Sequence, residues 1–248
     1  MRLGQWFVPV VDLHSHILPE LDDGARSMED SVAMARQAWE DGIEAVCATP
    51  HIRHDHDVRI PEIASRVTSL QRVLDREGIP VRILPGGELA QSAAKALTRE
   101  ELDCVSLGGA GGWILLEPPP GPLGDELSRT VEDLARLGAR VIVAHPERHA
   151  GADLEQRLTE LVEQGCLIQW TADFVVQAVP GDLVLRYASD GLVHLLASDA
   201  HSSLVGRPLR LSAGFARLGE VCPPEWVHWM AEQAPLAIVA GKPVTPPW

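Results

Sequence analysis

The chain alternates short, strongly apolar runs with longer stretches in which apolar residues repeat at helical spacing. The apolar runs are rich in Val, Ile and Leu, which is the composition of strands buried on both faces of a parallel sheet. We therefore expect seven strands, at Val8–Leu13, Glu44–Thr49, Val81–Glu88, Trp113–Glu117, Arg140–His145, Cys166–Thr171 and His194–Ser198.

The stretches between these runs have the pattern of amphipathic helices. Ser27 followed by Asp30 resembles an N-terminal cap, and the helix that begins there is expected to stop at Gly42. Similar patterns predict helices at Asp125–Leu137, Leu154–Val162 and Gly181–Ser189. Strand followed by helix, repeated along the chain, predicts an α/β fold with a parallel sheet. Alternation alone does not distinguish a closed barrel from an open doubly wound sheet.

Histidines and carboxylates stand at the C-terminal ends of six of the seven predicted strands. In a closed barrel all strand ends meet at one face, whereas the outer strands of an open sheet would hold these side chains too far apart to act together. A single histidine in such a place is more often structural, so the joint occurrence is what favours a barrel with a metal site. The groups are His14-Ser15-His16, Thr49-Pro50-His51, Gly86-Gly87-Glu88, Glu117, His145-Pro146-Glu147 and Ser198-Asp199-Ala200-His201.

The spacing of these residues indicates how they would chelate. His14 and His16 are two residues apart, so on a strand they point to the same side and can bind one ion. Asp12, one step deeper on that side, is expected to orient a ligand histidine. Histidine and carboxylate ligands without Cys suit Mn, Fe, Zn or Ni, and about nine such ligands imply two or three divalent ions. The histidines without this placement are interpreted as non-ligands: His54, His56, His149, His194 and His228.

Charge and cysteine content narrow the function classes. The formal net charge of the 248 residues is −14 and no Lys/Arg block is present, which argues against nucleic-acid binding. Bound divalent cations would add local positive charge, so an acidic protein can still have a cationic active site. The four cysteines are widely spaced, and no apolar run approaches the roughly 20 residues of a membrane span. Gly4 and Pro9 interrupt the N-terminus, which does not have the pattern of a signal peptide. We therefore expect a reduced, cytoplasmic protein.

Taken together, the strand-end motifs resemble those of the PHP (polymerase and histidinol phosphatase) superfamily. More closely, the segment from His14 to Gly24, His-Ser-His-Ile-Leu-Pro-Glu-Leu-Asp-Asp-Gly, is similar to the opening of the CpsB/CapC-type bacterial tyrosine-protein phosphatases, which regulate capsular and exopolysaccharide synthesis. The resemblance covers roughly residues 10 to 210 in order. Its motifs are Asp12-Leu-His-Ser-His16, Ala48-Thr-Pro-His51, Gly87-Glu88, Ala144-His-Pro-Glu-Arg148 and Ser198-Asp-Ala-His201.

The resemblance implies a single-domain, distorted (β/α)7 TIM-like barrel of the PHP type, spanning residues 1–248. Its motif-bearing core would occupy about 10–210 and a C-terminal helical segment about 211–248. The resemblance also implies three metal ions, usually manganese. The first would be held by His14, His16, Glu88 and Asp199, the second by Glu88, Glu117 and His145, and the third by Asp23, His51 and His201.

The same resemblance implies the reaction. Arg148 and Arg207 match arginines that grip the substrate phosphate, a task suited to planar guanidinium groups. A metal-bound hydroxide would attack the phosphorus in line and hydrolyse a phosphate monoester. The expected substrate is a phosphotyrosine protein of exopolysaccharide or capsule biosynthesis, with a bacterial tyrosine kinase of that process as partner. A phenolate leaving group with a pKa of about 10 needs less proton assistance than an alkoxide, so no single general acid is assigned, and Glu20, His54 and a metal-bound water stay open as candidates.

Several alternatives stay open. A histidinol-phosphate phosphatase or another small-molecule phosphoesterase of the superfamily would use the same ligands, and a non-enzymatic module could bind phosphorylated partners without turnover. A metal-dependent amidohydrolase also begins with H-x-H, but commonly uses a carboxylated Lys, and no Lys stands at a predicted strand end. Cys47 to Arg53 fits the C-x5-R spacing of cysteine-based tyrosine phosphatases, yet lacks their glycine-rich loop.

The chain departs from the family pattern at several positions. Glu20 replaces a common glycine, and Gly87 stands where Ala is frequent. Pro118-Pro119-Pro120 makes a rigid exit from Glu117, and Gln169-Trp170-Thr171 lacks an Asn often found there. We expect these departures to affect the substrate more than the metals.

Overall fold

The structure, a computed structural model, describes residues 10–149 and 151–248, so that Val8 and Pro9 of the first predicted strand lie outside the described residues. Strands and helices alternate along most of the chain, as the sequence predicts. The strands are β1 Val10–Ser15, β2 Ile43–Ala48, β3 His51–Ile52, β4 Arg82–Pro85, β5 Glu88–Ala90, β6 Trp113–Glu117, β7 Arg140–Ala144, β8 Leu167–Thr171 and β9 Leu195–Ala197. The helices are α1 Met28–Asp41, α2 Ile63–Arg76, α3 Arg99–Val105, α4 Asp125–Arg136, α5 Leu154–Glu163, α6 Ala172–Val176, α7 Ala178–Ser189, α8 Ser212–Leu218, α9 Pro224–His228 and α10 Ala234–Val239.

The described strands pair in parallel and form two sheets, ordered β1-β2-β4 and β3-β5-β6-β7-β8-β9. This pairing differs from the single continuous ring predicted from the sequence, because the second and third predicted strands are each interrupted. Pro50 has no backbone N–H and separates β2 from β3. Gly86 and Gly87 separate β4 from β5. A Cβ on Gly87 would lie 3.0 Å from Ile52 Cγ1, so the close approach of these segments favours glycine.

Backbone hydrogen bonds join the two sheets at the C-terminal ends of their strands. Ser15 forms an isolated parallel bridge with Ala200, and His16 N donates to Ala200 O over 2.8 Å. A second contact lies where β2 continues into β3 and β4 into β5: Glu88 N, at the start of β5, donates to Pro50 O over 3.0 Å. The ends of β1 and β9 and the starts of β3 and β5 therefore lie at the same edge of the sheets.

The helix boundaries follow the capping signals closely. Ser27 accepts a hydrogen bond from Asp30 N at the start of α1, and Gly42 ends that helix at φ 91°. Helix α7 begins at Ala178, three residues before the predicted Gly181. Helix α2 was not predicted, although Ile63, Val67, Leu70 and Leu74 form its buried face at helical spacing.

The core lies between the sheets and the helices that cover them. Its strand residues are mainly aliphatic and fully buried, for example Val46, Leu115, Ile142 and Leu195. Helix α10 packs against β1, which ties the C-terminal helices to the sheet. Within the described ranges, no helix combines the length and the apolar character needed to cross a bilayer.

Candidate metal centre

Nine side chains that the sequence predicts as metal ligands converge where β1, β6, β7 and β9 end and where β3 and β5 begin. They come from β1, β3, β5 and β6, from the loop before α1, and from the segments that follow β7 and β9. Within each of four groups, one potential ligand atom per residue lies within 4.8 Å of all the others. The groups are His16-Asp23-His51-His201, His14-Glu88-His145, His14-His16-Asp199 and His51-Glu88-Glu117.

The densest part of the centre surrounds His14 of β1 and His16, the first residue after that strand. His14 Nε2 and His16 Nε2 lie 3.3 Å apart. Each also lies 3.3 to 3.4 Å from Glu88 Oε2 and 3.4 to 3.6 Å from Asp199 Oδ1. Ligand atoms about 2.1 Å from a shared ion are at most about 4.2 Å apart, so all of these separations suit atoms that share one cation.

Glu88 is the carboxylate around which the histidines gather. It is fully buried, with Oε1 2.7 Å from His145 Nε2 and Oε2 2.8 Å from His51 Nδ1. Burial raises the pKa of this carboxyl, but the positive charge of His14 and the close approach of the His14, His145 and His16 rings outweigh burial and hold the pKa well below its usual value. Glu88 is thus an anion in the interior of the protein.

Two buried carboxylate oxygens support cation binding. Glu88 Oε2 and Asp199 Oδ1 are buried and accept no hydrogen bond from any described residue. A buried anionic oxygen without a donor is costly, whereas coordination to a cation satisfies it. Because the surrounding atoms are imidazole nitrogens and further carboxylates, the donor set fits a divalent transition metal.

The grouping of the side chains differs from that implied by the family resemblance. Glu117 lies with His51 and Glu88, 3.8 Å from His51 Nδ1, and not with His145. His145 instead lies with His14 and Glu88. The structure therefore brings the nine residues together in one continuous cluster, in which several residues border more than one group.

Two residues that the sequence analysis missed orient the β1 histidines. His16 Nδ1 donates to Asp22 Oδ2 over 2.7 Å, and His14 Nδ1 donates to Gln169 Oε1 over 2.9 Å. Each contact fixes the tautomer that leaves Nε2 free to bind a cation. Gln169 could have been suspected as a polar residue inside the apolar run of β8, and Asp22 as the neighbour of Asp23.

Asp12 does not have the predicted role of orienting a histidine ring. Its carboxylate accepts hydrogen bonds from the backbone N–H of His14 and from the backbone and hydroxyl of Ser198. Burial raises its pKa to about 6 despite those hydrogen bonds. Asp12 therefore holds β1 against the segment after β9, which positions the ligand-bearing strand ends.

The two predicted phosphate-binding arginines meet at Asp199. Arg207 Nη2 lies 3.0 Å from Asp199 Oδ2, and Arg148 Nη2 donates to the same oxygen. Burial raises the pKa of Asp199, but the positive charges of His14, His145 and Arg207 together outweigh that effect and bring the pKa to about 2. Asp199 thus presents one oxygen to the histidines and the other to the arginines. The side chains of Arg207 and Arg148 stay about one third exposed, at 31% and 38%, so that a ligand in solvent can reach them.

Backbone conformation also marks the centre. The described residues other than glycine with positive φ are Glu20, His145 and Asp199, at 56°, 32° and 50°. His145 is the first residue after β7, and Asp199 is the second residue after β9. At both positions the left-handed conformation turns the chain where the side chain joins the cluster. Such conformations cost free energy and persist where the surrounding structure enforces them.

The C-x5-R segment does not form a cysteine-phosphatase site. Cys47 is buried in β2, and burial raises the pKa of its thiol, which disfavours the thiolate. Arg53 lies beside Asp55 and Glu117. Among the described residues, His54, His56, His149, His194 and His228 fall outside the four groups, although the His56 ring stacks on His51 at a centroid distance of 5.1 Å.

Comparison with known proteins gives consistent matches over most of the chain. Residues 10–219 match the profile of a family described as capsular polysaccharide synthesis, CpsB/CapC. Tyrosine-protein phosphatase YwqE of Bacillus subtilis (strain 168) is 34% identical over 206 residues, which cover 78% of this chain and 78% of that protein. Tyrosine-protein phosphatase CpsB of Streptococcus pneumoniae is 26% identical over 214 residues, covering 80% of this chain and 85% of that protein.

A solved structure matches nearly the whole fold. It comes from the crystal structures of YwqE from Bacillus subtilis and CpsB from Streptococcus pneumoniae, described as unique metal-dependent tyrosine phosphatases. The TM-score is 0.83 at 26% sequence identity, and the match covers 95% of this chain and 96% of the other.

Proposed function

Because this chain belongs to the CpsB/CapC family of capsular polysaccharide synthesis, we propose that it is a metal-dependent phosphomonoester hydrolase that acts on phosphotyrosine in proteins. The observation that carries the proposal is the convergence of His14, His16, Glu88 and Asp199 atoms at separations that one cation can bridge. The names of the related proteins agree with this chemistry.

We assign the metal ligands to the nine converging residues and propose two or three divalent ions, with manganese as the resident metal. Iron, zinc or nickel would accept the same nitrogen and oxygen donors. The division of the ligand atoms into four groups supports more than one ion. The proposed ligands are His14, His16, Asp23, His51, Glu88, Glu117, His145, Asp199 and His201.

The protein's own side chains account for orientation and charge. Divalent ions bound here would supply a water molecule of lowered pKa as nucleophile and positive charge opposite the phosphate oxygens. Arg148 and Arg207 would bind the remaining phosphate oxygens, and their shared contact with Asp199 holds them at the edge of the metal cluster. Asp22 and Gln169 keep the β1 histidines in their ligand tautomers.

We extend the proposal to the architecture. If β2 with β3 and β4 with β5 are each one interrupted strand, the described strands correspond to the seven of a distorted (β/α)7 TIM-like barrel of the PHP type. The bridge between Ser15 and Ala200 supports closure, because it joins the first strand to the segment after the last. The contact of α10 with β1 supports a single domain, with a core at about 10–210 and a helical segment at about 211–248.

We further propose that the substrate is a phosphotyrosine protein of capsule or exopolysaccharide synthesis, with a bacterial tyrosine kinase as partner and the cytoplasm as location. The family description supports the process. The net charge of −14 supports a protein substrate over nucleic acid.

Parallel assays on the manganese-loaded protein test the proposal. The rates of hydrolysis of a phosphotyrosine peptide, p-nitrophenyl phosphate and histidinol phosphate are compared. Elemental analysis identifies the bound metal. We expect turnover of the first two, loss of activity in EDTA, and little effect of thiol alkylation. A preference for histidinol phosphate would replace the protein substrate with a small molecule, and peptide binding without turnover would indicate a regulatory module.

The arginine assignment has its own test. Replacing Arg207 by Ala is expected to lower kcat/KM for p-nitrophenyl phosphate by about 100-fold, because one charge-stabilising donor is lost. The metal content should not change. The exposed Arg210, three residues further on, is the matched control, and Arg210→Ala should leave kcat/KM unchanged. Equal effects of the two substitutions would contradict the assignment.

A further inference from the structure

Leu204 and Val205 are the two most exposed large apolar residues in the described part of the chain, at 87% and 60%. They lie in the segment between His201 and Arg207, both of which belong to the candidate centre. Isolated exposed apolar residues are common on proteins and need no explanation. An adjacent pair of exposed apolar residues beside a candidate active site, in contrast, calls for a functional explanation.

The turn that carries this pair is anchored to α1. Asp30 Oδ1 accepts hydrogen bonds from Ser203 N over 2.8 Å and from Ser203 Oγ over 2.6 Å. Gln37 Nε2 donates to Ser203 O over 2.9 Å, and Leu204 N donates to Ser202 Oγ over 3.1 Å. The exposed side chains are therefore presented by a turn whose backbone is held in place on its N-terminal side.

Chain geometry keeps the pair near the arginine and the histidine. Val205 is two residues from Arg207, so their Cα atoms are at most about 7 Å apart. Leu204 is three residues from His201, which limits that separation to about 11 Å. A phosphate bound by Arg207 would thus place the groups attached to it within reach of both apolar side chains.

We propose that Leu204 and Val205 form a docking surface for the polypeptide that flanks the phosphotyrosine of a protein substrate, and that they contact apolar residues next to the phosphotyrosine. The inference rests on the proposed phosphatase function and deepens it. Along the chain, Gly206 alone separates the pair from Arg207, the arginine that would hold the phosphate. Two side chains are far too small for a stable interface between copies, which needs about 800 Å² per partner. The acidic chain would also be repelled by anionic lipids.

The test separates substrates that reach this surface from those that do not. The double variant Leu204→Ser, Val205→Ser is loaded with manganese and assayed on p-nitrophenyl phosphate and on a phosphotyrosine peptide with apolar flanking residues. We expect kcat/KM for the peptide to fall about tenfold, because the apolar contacts are lost. We expect turnover of p-nitrophenyl phosphate to stay within about twofold of wild type, because it lacks a polypeptide.

Two control variants make the result specific. Leu137→Ser removes a side chain that is 43% exposed at the end of α4, at the opposite edge of the sheet, and should change neither rate. Leu204→Met with Val205→Ile keeps the surface apolar and should retain the peptide activity.

The possible outcomes are distinguishable. Unchanged kcat/KM for the peptide in the serine variant would overturn the inference while leaving the phosphatase function intact. Wild-type protein that hydrolyses neither substrate would overturn the proposed function itself. A change of molecular mass in light scattering, without an effect on the peptide reaction, would make the pair a contact between copies and would also refute the inference.

Discussion

Strand β9 has a histidine beyond each of its ends, and the two ends differ sharply in their surroundings. His194 precedes the strand and is buried beside Trp248, with a centroid distance of 5.5 Å between the rings. Its Nδ1 accepts a hydrogen bond from Ile168 N over 3.3 Å. His201 follows the strand and joins the candidate metal centre, where carboxylates surround several histidines.

Burial lowers the pKa of His194 to about 4. The pKa of His201 also falls to about 4, because burial and the positive charge of His16 both lower it. Burial also lowers the pKa of His16, but hydrogen bonds to Asp22 and Glu88 overcome it and raise the pKa to about 10. The carboxylates that would stabilise a proton on His16 are also the groups that would bind a metal ion. The edge of the sheet that carries these carboxylates therefore favours bound cations, whereas the opposite edge holds His194 as a neutral ring.

The largest effect is expected for a substitution at the edge of the sheet that carries the candidate metal ligands, here called the cationic edge. Glu88→Gln removes the central negative charge while keeping the side-chain shape, so metal affinity and the positioning of the histidines should both suffer. We expect kcat for p-nitrophenyl phosphate to fall on the order of 1000-fold, together with a loss of bound metal in elemental analysis. Glu232→Gln, which changes a buried carboxylate in the C-terminal helices, is the control and should retain both. Full activity of Glu88→Gln would remove this carboxylate from the site.

At the opposite edge, the role of His194 is tested through the pH dependence of the free energy of unfolding. The pKa of His194 is about 4 in the folded chain and about 6.5 when exposed, so the unfolded state takes up a proton first as the pH falls. The contribution of neutral His194 to the free energy of unfolding is complete above pH 6.5. It is lost as the pH drops towards 4, and the loss amounts to at most about 3 kcal/mol. Denaturant unfolding of His194→Gln should therefore show a shallower decline over this range than wild type. Equal slopes would mean that His194 is protonated in the fold.

A smaller effect is expected for the residue that orients His16. Asp22→Asn keeps an acceptor but loses the charge that faces His16 Nδ1, so the metal affinity should fall about 10- to 100-fold. Metal titration of activity would measure the loss, and excess metal should restore turnover. Asp57→Asn, an exposed acidic residue in the loop after β3, is the matched control. A failure of excess metal to restore activity would give Asp22 another role.

The smallest effect concerns the backbone next to the cationic edge. Glu20 has a left-handed φ of 56°, a conformation that glycine adopts without strain. Glu20→Gly should raise the free energy of unfolding by about 0.5 to 1 kcal/mol, because the relief of strain exceeds the entropic cost of glycine. In contrast, Glu44→Gly in β2 should lower it by a similar amount, since that residue is in a strand. Destabilisation by both substitutions would show that the Glu20 side chain itself stabilises the loop.

Much of the α/β pattern could be predicted, because the apolar runs and helix caps are local signals. Trp113–Glu117 was predicted with its observed bounds, and the start of α1 follows from Ser27. The break between β2 and β3 was missed, although Pro50 has no N–H for a strand ladder. Helix α2 was missed despite its regular buried face. The family assignment made from the strand-end motifs is confirmed by the match over residues 10–219.

Residue type and strand period are local properties and parallel strands share an edge, so the amino-acid sequence specifies which chemical groups stand at the ends of the strands. Which of these groups contact one another depends on tertiary packing. Gln169 lies 155 positions from His14 in sequence, yet it orients that ring, and Glu117 borders His51 and not His145. Such contacts depend on how strands and turns pack across the whole chain, and no spacing within a single motif contains that information.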